Sequence, residues 1–126
     1  MKTIVAGSRD YQDYNHVKQQ LDYFRKTHVV TEIVSGGARG VDTLGERYGL
    51  EYEIAIKVFN ADWNKHGRAA GPIRNAQMGD YADQLVAVWD GKSKGTKNMI
   101  DYMNKLKKPV FIIWVGEQAV AHAQFA

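Results

Sequence analysis

The sequence predicts one doubly wound α/β domain, with a five-stranded, mainly parallel sheet and helices on both faces. Five short apolar runs alternate with four stretches of helical periodicity, and this alternation is typical of right-handed βαβ units. The runs are rich in Val and Ile and mostly lack strict alternation with polar residues, which indicates strands buried on both faces. With 126 residues, the chain is long enough for one compact core.

The predicted strands are these apolar runs. The run at residues 53–59 has polar ends and is therefore predicted to be an edge strand. The other runs fit the buried pattern better, and they lie at residues 3–6, 32–34, 85–89 and 110–115.

The predicted helices follow from apolar residues that recur every three or four positions and so share one helix face. Pro109 ends the last of these stripes, and Pro72 suits the first turn of a helix predicted over residues 72–82. We assign residues 1–115 to the domain and leave residues 116–126 as a C-terminal tail without an assigned structure. The three clear stripes are Val17, Leu21 and Phe24, then Val41, Leu44 and Tyr48, and finally Met99, Met103 and Leu106.

Composition narrows the classes of function. The chain has no cysteine, which excludes disulfides and thiolate metal sites and suits a cytoplasmic protein. The first apolar run ends at Gly7 and is too short for a signal peptide or a membrane span. A formal net charge of +3 mildly favours anionic partners. The four histidines lack metal-ligand spacing. We therefore predict no metal, no cofactor and no membrane partner, and we expect a homo-oligomer.

Glycine-containing loops follow three of the predicted strands, where parallel sheets bind their ligands. Residues 35–42 hold three glycines within five positions between a strand and a helix, so that backbone N–H groups and the helix dipole could hold a phosphate. The alternative is that these glycines only permit the tight turn between the strand and the helix. The positions predicted to bind ligand are Gly7, Ser8 and Arg9; Gly36, Gly37, Ala38, Arg39, Gly40 and Asp42; and Gly91, Lys94, Gly95 and Thr96.

The long connection at residues 60–71 adds further candidates. Trp63 could stack on a nucleotide base or cover the edge of the core, and both interpretations stay open. Arg68 could contact phosphate. Arg74 and Asn75 follow close to a predicted helix N-terminus, where a cation is electrostatically disfavoured. Arg74 is therefore predicted to serve a bound anion, with Asn75 beside it.

These motifs, in this order, resemble the SLOG group of Rossmann-like proteins, close to its YspA-type members (the DUF2493 family). The matching segments are residues 7–9, 35–42, 67–75 and 94–96. Relatives include the cytokinin-activating phosphoribohydrolases and the Rossmann core of DprA. The resemblance implies a Rossmann-like fold and a nucleotide or nucleotide-derived ligand at the strand ends. It also points to bacterial or phage conflict or signalling systems.

The resemblance bears on catalysis as well. In the phosphoribohydrolases an arginine heads a helix, and a Gly-Thr loop leads into a catalytic glutamate. Arg74 resembles that arginine, but Asn98 and Met99 stand where the glutamate is expected, and neither can act as a general base. Asp42 or Glu46, on the second predicted helix, could supply a carboxylate from another direction.

Three functional hypotheses follow. The favoured one is binding of a nucleotide or of an ADP-ribose- or NAD-like ligand, as a sensor or binding module. The second is an enzyme of the nucleosidase or phosphoribohydrolase class, which would hydrolyse the N-glycosidic bond of nucleoside monophosphates with Asp42, Glu46 and Arg74 as candidate catalytic residues. The third is DprA-like binding of single-stranded DNA, with which the sequence pI of about 9.1 is compatible.

Overall fold

Strands and helices alternate along residues 1–116, the part of the chain that the computed structural model describes. Apart from Gly116, the predicted C-terminal tail lies outside the described residues. The strands are β1 (Lys2–Gly7), β2 (Glu32–Ser35), β3 (Ala55–Val58), β4 (Gln84–Trp89) and β5 (Val110–Trp114). The helices are α1 (Tyr14–Arg25), α2 (Val41–Glu51), α3 (Trp63–His66), α4 (Ala70–Tyr81) and α5 (Lys94–Lys105), with a 3₁₀ helix at Gly67–Ala69.

The five strands form one sheet in the order β3-β2-β1-β4-β5, and every neighbouring pair is parallel. This confirms the predicted doubly wound α/β fold. The chain winds from β1 outwards to β3 and then crosses back to β4, so the strand order reverses between β1 and β4. A ligand crevice is expected at the C-terminal ends of these two strands. β3 lies at an edge, as predicted, and its exposed Lys57 disfavours pairing with another strand.

Helices cover both faces of the sheet, and alternate residues of β1 face the two layers. Val5 belongs to the layer with α1 and α2, where Leu21 and Tyr48 are also buried. Ile4 belongs to the opposite layer, with Met78 of α4 and other residues of α4 and α5. The central strands are therefore buried on both faces, and this is why their sequences lack polar alternation.

The connection predicted as a long loop contains two short helical segments. The Asp62 side chain accepts a hydrogen bond from the Lys65 N–H at 3.0 Å and so caps α3. Gly67, with φ of 55°, then turns the chain into the 3₁₀ helix. α4 begins at Ala70 rather than Pro72, which places Arg74 in the second turn. Among the described helices, none is long and apolar enough to cross a membrane.

Candidate functional site

A cavity of about 350 Å³ lies at the C-terminal ends of the strands, beside the point where the sheet order reverses. Its volume is at the lower end of the range of about 300–1,000 Å³ that is typical of small-molecule sites. From the first half of the chain, its wall includes the predicted residues Gly7, Arg9, Ala38, Asp42 and Trp63. From α4 and α5, it includes Arg74, Asn75, Lys94, Gly95 and Thr96.

The loop between β2 and α2 packs closely against the loop that follows β1. Gly40 has φ of 77°, and a Cβ at this position would lie 2.3 Å from the Ser8 carbonyl oxygen. The same carbonyl accepts a hydrogen bond from the Val41 N–H at 3.1 Å. Glycine at position 40 therefore permits both the backbone conformation and the close approach of the two loops.

Two backbone N–H groups of this loop are bonded within the protein. The Gly37 N–H donates to Ser35 Oγ at 3.1 Å, and the Ala38 N–H donates to Asp42 Oδ2 at 3.2 Å. The loop uses these two amides to build a turn and to orient Asp42, so they are engaged within the protein, whereas phosphate binding by the amides of residues 36–40 stays a prediction. The loop positions that do not line the cavity are Gly36, Gly37, Arg39 and Gly40.

Asp42, in the first turn of α2, brings a buried carboxyl group to the cavity. Its residue surface is 6% exposed, and this burial raises the pKa of Asp42 to about 6, against the opposing effects of the Ala38 N–H and of Arg74. The Asp42 Oδ1 receives no hydrogen bond from residues 1–116. Every fully buried side-chain N or O atom in that part of the chain has a partner, so Oδ1 is not fully buried. Oδ1 is therefore accessible from the cavity and can accept a hydrogen bond from a ligand hydroxyl.

Arg74, in the second turn of α4, is buried as well, with 9% of its surface exposed. Its Nη1 donates to the Gly36 carbonyl oxygen, and its Nε donates to Asn75 Oδ1 at 3.0 Å. Within residues 1–116 no acceptor receives the hydrogens of Nη2. Because an unpaired side-chain atom in this part of the chain is not fully buried, and because Arg74 lines the cavity, Nη2 faces the cavity. Burial lowers the pKa of Arg74, but a guanidinium stays charged in proteins. A fixed cation with free donors suits a phosphate or a carboxylate.

The N-terminus of α5 opens onto the same cavity. The Ser93 carbonyl accepts the Lys97 N–H at 3.1 Å and so begins the helix. The N–H groups of Gly95 and Thr96 have no acceptor among residues 1–116. A Cβ at Gly95 would meet no atom within 4 Å, so the space beside the Gly95 Cα is open. Free first-turn amides and the helix dipole together favour a bound anion.

Trp63 and Arg9 form another part of the wall. The Arg9 Cζ lies 5.4 Å from the centre of the Trp63 ring, within the range of a cation–π contact. A Cβ at Gly71 would lie 3.3 Å from the Trp63 Cη2, so the missing side chain lets the ring lie against the start of α4. Trp63 is 48% exposed and belongs to neither apolar layer. The structure thus places the Trp63 side chain at the cavity wall rather than over the edge of the core.

Other predicted site residues point elsewhere. The Arg39 side chain is 74% exposed and lies 3.5 Å from the Asp10 carboxylate. Glu46 accepts a hydrogen bond from Ser35 Oγ at 2.6 Å and does not line the cavity, so it cannot supply the carboxylate there. Arg68 is exposed, whereas Ser8 and Gly91 are half-buried, and none of these three residues lines the cavity.

Sequence reasoning also missed part of the wall. Met99 was visible as the first member of an apolar stripe, but a periodic stripe does not reveal that one of its members borders a cavity, and Met78 belonged to no predicted stripe. Ser93 could have been found as the residue before the helix start. Asn98, noted only as a replacement for a catalytic glutamate, lines the cavity with its Oδ1 2.9 Å from Asn75 Nδ2. The remaining missed wall residues are Ala6, Gly71 and Pro72.

The charged groups of the cavity wall are thus one carboxyl, two arginines and Lys94, beside an open helix terminus. Of the proposed catalytic carboxylates, Asp42 is the one that reaches the cavity. Residues 1–116 contain no group of three or more His, Cys, Asp or Glu side chains placed to hold a metal ion.

Comparisons with known proteins agree with this architecture. Residues 1–66 match the model of the family described as the YspA, cpYpsA-related SLOG family. The Gene 61 protein of Mycobacterium phage D29 is 32% identical over 116 residues, which cover 86% of this chain and 93% of that protein. The X-ray structure of DNA processing protein A (DprA) from Streptococcus pneumoniae superposes with a TM-score of 0.73 at 14% identity. That superposition covers 99% of this chain and 56% of the DprA chain.

The family model matches more than half of the chain, and the phage protein matches almost end to end. The chain therefore belongs to the YspA, cpYpsA-related SLOG family, and the resemblance predicted from the loops is confirmed. The likeness to DprA supports the Rossmann-like fold.

Proposed function

We propose that this SLOG-family chain binds a nucleotide or a nucleotide-derived ligand of the ADP-ribose type, as a binding or sensing module. The observation that carries the proposal is the convergence of two anion-binding elements on one cavity: the buried guanidinium of Arg74 and the open N-terminus of α5. Both present fixed donors to a phosphate. The family supports nucleotide-related binding at a general level.

The remaining wall suits the other parts of such a ligand. The accessible Oδ1 of Asp42 can accept a hydrogen bond from a ribose hydroxyl. The exposed ring of Trp63 provides a surface for a base, and Arg9 adds positive charge beside it. A phosphate near Arg74 and α5, a ribose near Asp42 and a base near Trp63 would together occupy the cavity.

Calorimetry with AMP, ADP-ribose and NAD tests this proposal. At least one of these compounds is expected to bind the wild-type chain and to raise its melting temperature. Arg74→Lys keeps the charge but cannot reproduce the donors of the guanidinium, so it should weaken binding about tenfold or more. Arg68→Lys, an exposed position outside the cavity wall, is the matched control and should bind like the wild type.

Failure of the wild type to bind any of the three compounds would contradict the proposal, as would equal effects of the two arginine substitutions. Binding of a single-stranded oligonucleotide that weakens steeply with salt, and that mononucleotides do not displace, would instead favour a nucleic-acid ligand.

A second candidate function is hydrolysis of an N-glycosidic bond. Asp42 favours it, because a cavity carboxyl with a pKa of about 6 can exchange a proton near neutral pH. Incubation with nucleoside monophosphates and NAD-derived nucleotides, followed by chromatography for free base, tests for turnover. Release of base that Asp42→Asn abolishes would support an enzyme. Absence of release from every compound would exclude it for those substrates.

A further inference from the structure

We infer that Asn98 is a ligand-binding residue whose Nδ2 donates hydrogen bonds to an acceptor oxygen of the ligand, such as a phosphate oxygen. This inference rests on the proposed function, and it assigns a chemical role to one position of the cavity wall. Asn98 lies in the second turn of α5 and lines the cavity. The argument depends on a chain of side chains that begins at Arg74.

Arg74 sets the direction of donation in this chain. A guanidinium can only donate, so the group that meets Arg74 Nε at 3.0 Å must be the amide oxygen of Asn75. The amide nitrogen of Asn75 consequently faces α5. There it donates to the Gly95 carbonyl oxygen at 3.2 Å and to Asn98 Oδ1 at 2.9 Å. Asn75 is buried, and both of its amide hydrogens are used in these two bonds.

The same logic fixes the side-chain amide of Asn98. If this amide were flipped, its NH2 group would face the NH2 group of Asn75, and a donor would meet a donor. Oδ1 of Asn98 is therefore held by Asn75, and Nδ2 is left unpaired on this exposed residue at the rim of the cavity. No acceptor among residues 1–116 receives the Nδ2 hydrogens.

Donors consequently meet the cavity from two helices. Arg74 Nη2 comes from α4, and α5 contributes the free first-turn amides together with Asn98 Nδ2. A ligand group rich in acceptor oxygens matches this arrangement, whereas an ammonium or amide donor does not. The assignment also makes Asn75 a positioning residue rather than a ligand contact, because its hydrogen bonds join Arg74 to α5 and to Asn98.

Substitution of Asn98 by aspartate is a sharp test, because the two side chains have the same shape. An aspartate still accepts the hydrogen bond from Asn75 Nδ2, so the ligand-free melting temperature should stay close to that of the wild type. It offers no donor and adds a negative charge. Calorimetry of the full chain with AMP and ADP-ribose should therefore show about tenfold weaker binding or worse for Asn98→Asp.

Two further variants separate the lost donor from the added charge. Asn98→Ala removes the donor without adding charge, and it should weaken binding about fivefold. Asn104→Asp makes the same chemical change nearer the end of α5, at an exposed position outside the cavity wall, and it should leave binding unchanged.

The outcomes distinguish this inference from the proposed function. If the wild type binds neither AMP nor ADP-ribose, both fail. If the wild type binds but Asn98→Ala binds as tightly, Asn98 donates nothing to the ligand and the inference alone is overturned, even when Asn98→Asp is impaired. Weaker binding by both Asn98 variants, with wild-type behaviour of Asn104→Asp, supports it.

Discussion

Replacing Asp42 by asparagine should stabilise the ligand-free protein at neutral pH, and the gain should disappear in acid. Burial raises the pKa of Asp42 from 3.8 to about 6, so the folded state holds this proton more tightly than the unfolded chain does. Between these two values the unfolded state binds fewer protons, and the stability of the wild type therefore falls as the pH rises. The difference in pKa corresponds to about 3 kcal/mol above pH 7. Asparagine removes the charge and keeps an oxygen that can accept the Ala38 N–H.

Urea unfolding at pH 4 and pH 7.5 measures this effect. At pH 7.5 the free energy of unfolding of Asp42→Asn should exceed that of the wild type by about 2–3 kcal/mol, and at pH 4 by less than about 1 kcal/mol. Asp10→Asn is the control, because the Asp10 side chain is 88% exposed, and it should change the free energy of unfolding by less than about 0.5 kcal/mol. An equal gain for Asp42→Asn at both pH values, or none at pH 7.5, would refute the reasoning that a desolvated carboxylate is held in the cavity.

Two further substitutions test how the layer formed by α4 and α5 is built. Gly79→Ala should destabilise the protein by about 1–3 kcal/mol in urea unfolding, because its Cβ would lie 2.5 Å from the Tyr102 Cδ2. A loss no larger than that of Gly95→Ala, which has open space around its Cβ, would count against this contact. Lys108→Met should cost about 1–3 kcal/mol, because the Lys108 Nζ donates to three carbonyl oxygens at the end of α4. The exposed Lys105→Met should cost only a few tenths of a kcal/mol, and equal losses for the two lysines would show that these bonds contribute nothing specific.

Much of the fold was predictable because it depends on residue patterns that are local in the chain. The strand at β3 was identified as an edge because its run ends in polar residues, whereas β1 and β4 are apolar on both faces and lie inside the sheet. The boundaries were less predictable. α3 has four residues, too few to show a helical period, and the available signal in the sequence was Asp62, a residue type favoured at helix N-caps.

The candidate site was predictable only in part, because a loop sequence does not reveal where its polar groups point. Three glycines after β2 suggested free amides, yet two of the loop's N–H groups bond to Ser35 and to Asp42. Arg39 and Arg74 each lie near a glycine-rich loop. Arg39 is exposed beside Asp10, whereas Arg74 is buried and has free donors in the cavity.

By itself, the sequence determined the order of strands and helices, the edge position of β3 and the presence of polar loops at the ends of the central strands. Apolar periodicity and glycine placement encode these features within short stretches of chain. Only the tertiary structure decided which loop atoms reach the cavity. Arg74 meets the Gly36 carbonyl across 38 positions, and Asn75 meets Asn98 across 23. Such contacts depend on packing between α4, α5 and the β2–α2 loop. A local sequence pattern does not predict this packing. The anion-binding face that we propose consequently lies at Arg74 and the start of α5 rather than along the glycine-rich loop.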